Sequence, residues 1–403
     1  MRDQSLFLPC AGGAEELLAH EVGAITGLAH VMPGRGGVHL RGGWREVQLL
    51  NLHSRLAQRV LVQLAHGPYA REDDLYALGQ SVAWEEWFTT KQTFKVEVTS
   101  HASPLRSLNF AALRIKDAIA DRFRDRAGER PSVDTQRPHA RVYAHLGATH
   151  CTLSIDTSGE PLFKRGWRED KGEAPLKETL AAAMLAASGW TGDVPLYDPC
   201  CGSGTIAIEA AQIACGIPPG LQRRFAFEHL RPHEPRAWAD LLAQARAARR
   251  TPAAPVFGSD VAFRMVDFAQ RNAQRAGVAD AVQLRGGDAL QRMPPSDVPG
   301  VLMLNPPYGE RIGTAGVAGR TQRGRERAQA DDGADFFVEL ATHWKRNFAG
   351  WTAWVLTPDL KLPSRMRLKE SRRVPMWNGP IECRLFRFDM VAGSARTRAP
   401  SEG

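Results

Sequence analysis

Residues 195–215 run strand, glycine-rich turn, helix, and this join constrains the fold more than any other part of the chain. The strand VPLYD ends in Asp198 and passes directly into PCCGSGTIAIEAA, which opens a helix. Glycines at 202 and 204 let the backbone turn sharply and come close to a ligand that a Cβ would keep away. The following residues continue the alternation. Helix-like runs at 205–215, 262–276 and 335–348 separate strand-like runs at 195–198, 256–260, 282–284, 301–305 and 352–356. Two closing runs, 373–376 and 383–388, flank Asn378-Gly379, a turn dipeptide that predicts an antiparallel pair. The order predicts an α/β domain with a doubly wound, mostly parallel sheet, whose ligands sit at the carboxyl ends of its strands.

The turn alone leaves the ligand open. G-S-G-T-I-A satisfies the G-x-G-x-x-A pattern of nicotinamide enzymes, and Asp260 at the end of the next strand supplies the ribose-binding acid which that pattern needs. Three features favour S-adenosylmethionine. Asp198 stands where a carboxylate can reach the ligand's amino group, and a pyrophosphate would make that acid unwelcome. Asp288, in GGDA after the third strand, is placed to accept from the adenine amine. The fourth strand ends in Asn305-Pro306-Pro307-Tyr308. The candidate cofactor contacts are Asp198, Pro199, Cys200, Gly202, Ser203, Gly204, Thr205, Asp260, Asp288 and Asn305. For Asp198 the plain alternative is a helix cap or turn residue.

The NPPY run suits methylation of a planar amine. Such an amine donates its lone pair into the ring and is a poor nucleophile. The Asn305 side-chain oxygen and the Pro306 carbonyl can each accept one of its hydrogens, which orients the nitrogen and favours the positive charge that develops there. Pro306 and Pro307 stiffen the turn, and Tyr308 can stack on an extruded base. The chemistry requires no metal. A proline-rich turn with a packed tyrosine is the structural alternative, and the register with the glycine turn argues against it.

The first half of the chain reads as α+β, with a small unit over the first 65 or so residues and a second from about 70 to 157. In the second unit a helix is predicted over 74–87 and another over 110–124. Residues 158–175 are rich in glycine, proline and charge and read as a linker. Within it Lys164, Arg165, Trp167 and Arg168 combine cations with an aromatic and are the candidate RNA contacts; a hinge with Trp167 packed inside is the alternative. An insertion over 314–332, with Arg320, Arg323, Arg325 and Arg327, is either an RNA grip or a tolerated surface loop. The 52 basic residues outnumber the 44 acidic ones, which favours a polyanionic partner. Six cysteines without a CxxC pair argue against a disulfide framework or zinc ribbon. The i, i+4 pair His229 and His233 is interrupted by Pro232, so no metal site is expected. No apolar run is long enough to span a bilayer, and Asp3 and Glu15-Glu16 argue against a leader, so a cytoplasmic protein is expected.

Several stretches together resemble the bacterial ribosomal RNA guanine-N2 methyltransferases that carry a THUMP domain, most of all the N-terminal methyltransferase of the large-subunit enzyme. They are LFLPCAGGAEELLAHE, GGVHLRG, SRLAQRVLV, RIKDAIADRF, SIDTSGEPLFKRGWR, PLKETLAAAMLAASGW, DPCCGSGTIAIEAA, NPPYGERIG and NGPIECRL, spread over nearly the whole chain. The resemblance implies a ferredoxin-like domain over 1–66, a THUMP RNA-binding domain over 67–157 and a class I methyltransferase domain over 176–391; the sequence itself reads as a disordered tail over 392–403. It implies S-adenosylmethionine as cofactor and guanine N2 in 23S ribosomal RNA, or its precursor, as target. No particular oligomer is implied. In some relatives a second methyltransferase domain follows, so only one activity is expected here. NPPY also occurs in enzymes that methylate adenine N6 or a glutamine amide, so the motif alone does not choose the base. A non-catalytic RNA-binding assembly factor would leave NPPY unexplained, and a nicotinamide oxidoreductase would need a hydride-transfer constellation that the sequence lacks.

Overall fold

The structure is a computed structural model that describes residues 3–172, 175–306 and 332–391. The chain opens β1 (Gln4–Pro9), α1 (Glu15–Thr26), β2 (Val31–Gly34), β3 (Gly37–Gly42), α2 (Trp44–His53), β4 (Leu61–Pro68). It continues α3 (Glu72–Ser81), β5 (Phe94–Ser100), α4 (Leu108–Ala127), β6 (Ala140–Leu146), β7 (His150–Asp156). The second half runs α5 (Glu178–Ser188), β8 (Leu196–Asp198), α6 (Thr205–Ala214), α7 (Pro235–Ala247), β9 (Val256–Asp260), α8 (Phe263–Arg275), β10 (Val282–Gly286) and β11 (Val301–Leu304). It ends α9 (Asp332–Asn347), β12 (Thr352–Thr357), α10 (Leu362–Met366), β13 (Arg372–Asn378), β14 (Ile381–Asp389). Among the described residues no helix is long and apolar enough to cross a membrane.

Two units emerge. One holds the described residues of Met1–Arg165 and Pro218–Ala248, the other those of Gly166–Ile217 and Arg249–Gly403.

The first unit is built on one seven-stranded sheet in the order β2-β3-β1-β4-β7-β6-β5. Strands β1 to β4 and strands β5 to β7 belong to separate sequence units, yet β4 pairs antiparallel with β7 from Leu61↔Asp156 to Pro68↔His150. The helix predicted over 74–87 stops at Ser81, and Trp84–Glu86 forms a single 3-10 turn. The cause is Trp84, which is fully buried and donates its indole N–H to the Gly79 carbonyl at 2.7 Å, folding the chain back on α3.

Residues 218–248 leave the second sheet's strand series between α6 and β9 and pack as part of the first unit. Gly220 lies so close to α2 that a Cβ there would meet the carbonyl oxygens of Asn51 and Leu52 at 2.7 and 2.8 Å. The Arg223 guanidinium donates to the carbonyls of Ser158, Glu160, Pro161 and Lys164, which clamps the chain just after β7. Phe227 meets Trp44 edge-on at 6.0 Å, and the Arg231 N–H reaches the Trp87 carbonyl. Helix α7 is not among the helical runs read from the sequence.

The second unit has the order β10-β9-β8-β11-β12-β14-β13, parallel from β10 to β12, with β14 and β13 antiparallel. This is the doubly wound sheet expected from the alternation. On it, α9 contributes Phe336, Phe337, Leu340, Ala341 and Trp344 to a core with Leu302, Leu304, Val355, Phe386 and Phe388. Helix α5, the alanine-rich run, is buried nearly all round, as a helix without a polar face must be. Strand order reverses at β8, which has β9 on one side and β11 on the other. A crevice at that switch point is where such sheets receive ligands.

Candidate active site

Strand β8 delivers Asp198 to the switch point. The chain then turns through Pro199–Ser203 into α6, with Gly202 at φ +53° and Gly204 at φ +89°, in the region that favours glycine. The two glycines are needed for different reasons. A Cβ on Gly204 would meet Ala269 Cβ at 3.0 Å and Ile208 Cδ1 at 3.1 Å, whereas a Cβ on Gly202 would have nothing within 4 Å. Gly204 lets α6 pack on α8; Gly202 supplies the turn and leaves open space in front of it.

Asp260, at the end of the adjacent β9, ties the turn down by accepting from the Gly202 N–H at 2.9 Å and the Ala262 N–H at 2.9 Å. Asp198 is 1% exposed and accepts from the Cys200 N–H at 3.1 Å. Burial pushes its carboxyl up to about 8; the Cys200 N–H opposes that rise, and the charge of Asp260 adds to it. Burial likewise raises Asp260, against its two backbone donors. Among the described residues no cation pairs with either acid. A buried carboxyl beside a half-buried one, with no counter-charge among the described residues, favours a cationic, hydrogen-donating ligand and disfavours a pyrophosphate. The Cys200 and Cys201 thiols are raised well above the ordinary thiol range by burial and by Asp198, so they stay protonated and inert.

The remaining candidates fall into place around this pair. Asp288, after β10, is half-buried and accepts from the Leu290 N–H at 2.9 Å. Pro199 and Ser203 are buried in the turn. The Thr205 hydroxyl is taken by Arg168, at 2.7 Å, so it braces the turn from behind. Asn305 follows β11, whose residue Leu302 pairs with Tyr197 of β8, so Asn305 and Asp198 stand at neighbouring strand ends. Among the described residues Asn305 Oδ1 is buried with no hydrogen-bond partner. A buried acceptor left open is costly and rare, and here it stands where the motif predicts an amine. Pro306 is buried beside it. Pro307, Tyr308 and all of the arginine-rich stretch 314–332 but its last residue lie outside the described residues, as does 392–403.

One residue the sequence reading missed is Phe263, which is 78% exposed beside Asp260. Its ring edge covers the end of β10, where a Cβ on Gly286 would meet it at 2.5 Å. An aromatic ring left in solvent between two ligand-facing strand ends can stack on a planar ligand. The signal was an aromatic three residues after the acid.

The linker cations do not form the expected RNA surface. Arg165 is 1% exposed and donates to the Leu162 and Arg55 carbonyls at 2.8 Å each. Trp167 is packed inside, and Arg168 pairs with the buried Glu178 at 2.9 Å. Lys164 alone is well exposed, in an ion pair with Glu160. Downstream, Asp170 is held between Arg271 and Arg275, while Asn272 donates to the carbonyls of Asp170 and Ser203. The strap 166–172 is thus scaffolding that ties the glycine turn to α8. Among the described residues no cluster of three or more histidine, cysteine or acidic side chains could hold a metal.

Three family models match the chain: the RlmL ferredoxin-like domain over residues 5–61, the THUMP domain over 69–156, and the RMKL-like methyltransferase domain over 165–387. The chain is 38% identical to the ribosomal RNA large subunit methyltransferase K/L of Shewanella loihica, over 99% of its own length and 54% of that protein. It thus spans about half the length of the curated relatives it matches. Among solved structures it resembles SMU.472, crystallised in complex with SAH, with TM-score 0.85, 26% identity and coverage of 98% of this chain and 100% of that one. A predicted N6-adenine-specific DNA methylase from Listeria monocytogenes matches with TM-score 0.83 and 28% identity over 96% of both chains.

Proposed function

Because this chain belongs to the RMKL-like methyltransferase family, we propose that it uses S-adenosylmethionine to methylate the exocyclic N2 of a guanine in large-subunit ribosomal RNA. The observation that carries the reading is Asn305 Oδ1, a buried acceptor without a partner among the described residues, at the strand end next to Asp198. The named relatives act on large-subunit ribosomal RNA, and the THUMP match supports an RNA partner.

Bound S-adenosylmethionine would supply an electrophilic methyl group on a sulfonium. The residues present fit it: two acids without a counter-charge among the described residues for a cationic ligand, an open approach at Gly202, and Phe263 and Asp288 at the neighbouring strand ends for the adenine. Asn305 Oδ1 and the Pro306 carbonyl each accept one hydrogen of the target amine, which turns its lone pair out of the ring toward the methyl donor. As charge builds on the nitrogen these two bonds strengthen, so they stabilise the transition state more than the ground state. The proton lost afterwards is acidic enough to leave without a dedicated strong base.

A methyl-transfer reaction on ribosomal RNA from cells lacking the protein tests this directly, with deuterated S-adenosylmethionine and nucleoside mass spectrometry. Labelled N2-methylguanosine is expected. Label in N6-methyladenosine would keep the amine chemistry and overturn the base. No label on naked RNA or on ribosomal particles would overturn the RNA substrate.

A further inference from the structure

The excursion 218–248 holds a cavity of about 700 Å³, a size suited to a small organic ligand. All its lining residues come from the excursion, among them Arg223, Arg224, His229, His233, Trp238 and Arg246. Of its three arginines, Arg223 is spent on the carbonyls of Ser158, Glu160, Pro161 and Lys164, which leaves Arg224 and Arg246 beside a single carboxylate, Glu228, already engaged by Arg224 Nε and the Phe225 N–H. Arg224 and Arg246 are exposed, while Trp238 is a buried wall braced edge-on by Phe225 and Phe227. Two nitrogens on the lining residues, Arg223 Nε and His233 Nδ1, are buried without a hydrogen-bond partner among the described residues. Burial lowers the pKa of both histidines, so near neutral pH their rings offer one donor and one acceptor each.

We propose that this cavity receives an unpaired nucleotide of the RNA substrate. Arg224 and Arg246 hold its phosphates, and the neutral histidine edges and the indole wall meet the base. An inorganic anion would use the arginines and leave the aromatic wall and histidines idle; a duplex would not fit inside. The inference rests on the RNA reading above and adds a site to it. Its consequence follows from chain connectivity. The excursion is joined at one end to α6, which begins at the glycine turn, and at the other to β9, which ends in Asp260. The segment that lines the cavity is therefore continuous in sequence with both elements that shape the cofactor site.

The test is binding of fluorescein-labelled oligo-uridylate RNA, single-stranded or annealed into a duplex, to the full chain and to Arg224→Ala/Arg246→Ala. Both residues are exposed, so the variant should melt like the parent and bind S-adenosylmethionine equally well. Single-strand affinity is expected to fall roughly tenfold, with the slope of log affinity against log salt reduced by about 0.7 for each phosphate that the variant no longer neutralises. Unchanged affinity and slope would overturn the site and leave the substrate reading intact. Equal loss on the duplex would overturn the unpaired nucleotide. Displacement of the RNA by penta-glutamate at comparable concentration would overturn RNA in favour of an acidic peptide. No binding of either RNA by the parent chain would sink the substrate reading, and the site with it.

Discussion

At the strand ends of the second sheet, Asp198 is buried and Asp260 half-buried, each with backbone donors and, among the described residues, no cation. In the segment 165–170, buried Arg165, half-buried Arg168 and partly exposed Asp170 carry charge, and each is matched: Arg165 by two carbonyls, Arg168 by Glu178, Asp170 by two arginines. The second arrangement is matched in charge within the chain, and the first, among the described residues, is not. A buried ionisable group therefore marks function here where the chain supplies it no counter-charge. Asn305 Oδ1 belongs with the first group although it carries no charge.

The comparison breaks most readily at Arg168. Removing it with Arg168→Ala strands Glu178 in the interior, so unfolding free energy should drop by about 3–5 kcal/mol in denaturant titration. RNA affinity of the folded fraction should be unchanged. A stable variant with weakened RNA binding would return Arg168 to the role expected from sequence. Next in size is Asn305→Ala, which should cost roughly 100- to 1,000-fold in kcat, the scale of one lost transition-state hydrogen bond, while cofactor Kd by calorimetry stays put. Parallel loss of cofactor affinity would make Asn305 part of the cofactor pocket instead.

These two positions also mark what was legible. The alternation of strands and helices in the second unit could be read because each strand is short, apolar and ended by a turn residue or an acid, and that placed Asp198, Asp260, Asp288 and Asn305 at strand ends. The 164–168 segment was misread because residue type does not reveal whether a cation faces water or a carbonyl. The joining of β4 to β7 into one sheet escaped because the paired strands are far apart in sequence and neither carries a register signal. The excursion escaped for a related reason: periodicity gives a helix its apolar face, not the surface that face will cover. Phe263 was overlooked because an isolated exposed aromatic looks like any other surface residue until its neighbours are in place.

A smaller effect sharpens the comparison through pH. Asp198 keeps its proton in the folded chain up to about 8, while the unfolded chain releases it near 4. Folding stability from this group should thus be full at low pH, fall as pH rises between those values and level off above about 8. Cofactor binding runs the other way, since a cationic ligand prefers the ionised carboxylate. Its affinity should rise about tenfold per pH unit below 8 and flatten above it. Asp198→Asn should abolish both slopes. A slope in cofactor affinity that survives the substitution would transfer the effect to Asp260.

The smallest effect separates the two glycines. Gly204→Ala adds a methyl against Ala269 and Ile208, in a left-handed conformation, so its damage should appear in stability and in the seating of α6. Gly202→Ala meets nothing within 4 Å and suffers only the backbone penalty, about 1–2 kcal/mol for a left-handed residue. Its added methyl stands in the open space where the ligand approaches, so cofactor affinity should fall by more than the melting temperature implies. Had the turn been scaffolding like the 165–170 segment, stability alone would change at both positions. Cofactor Kd and melting temperature measured on the two variants decide this, because only a turn left incomplete for a ligand makes the sterically free glycine the one that binding cannot spare.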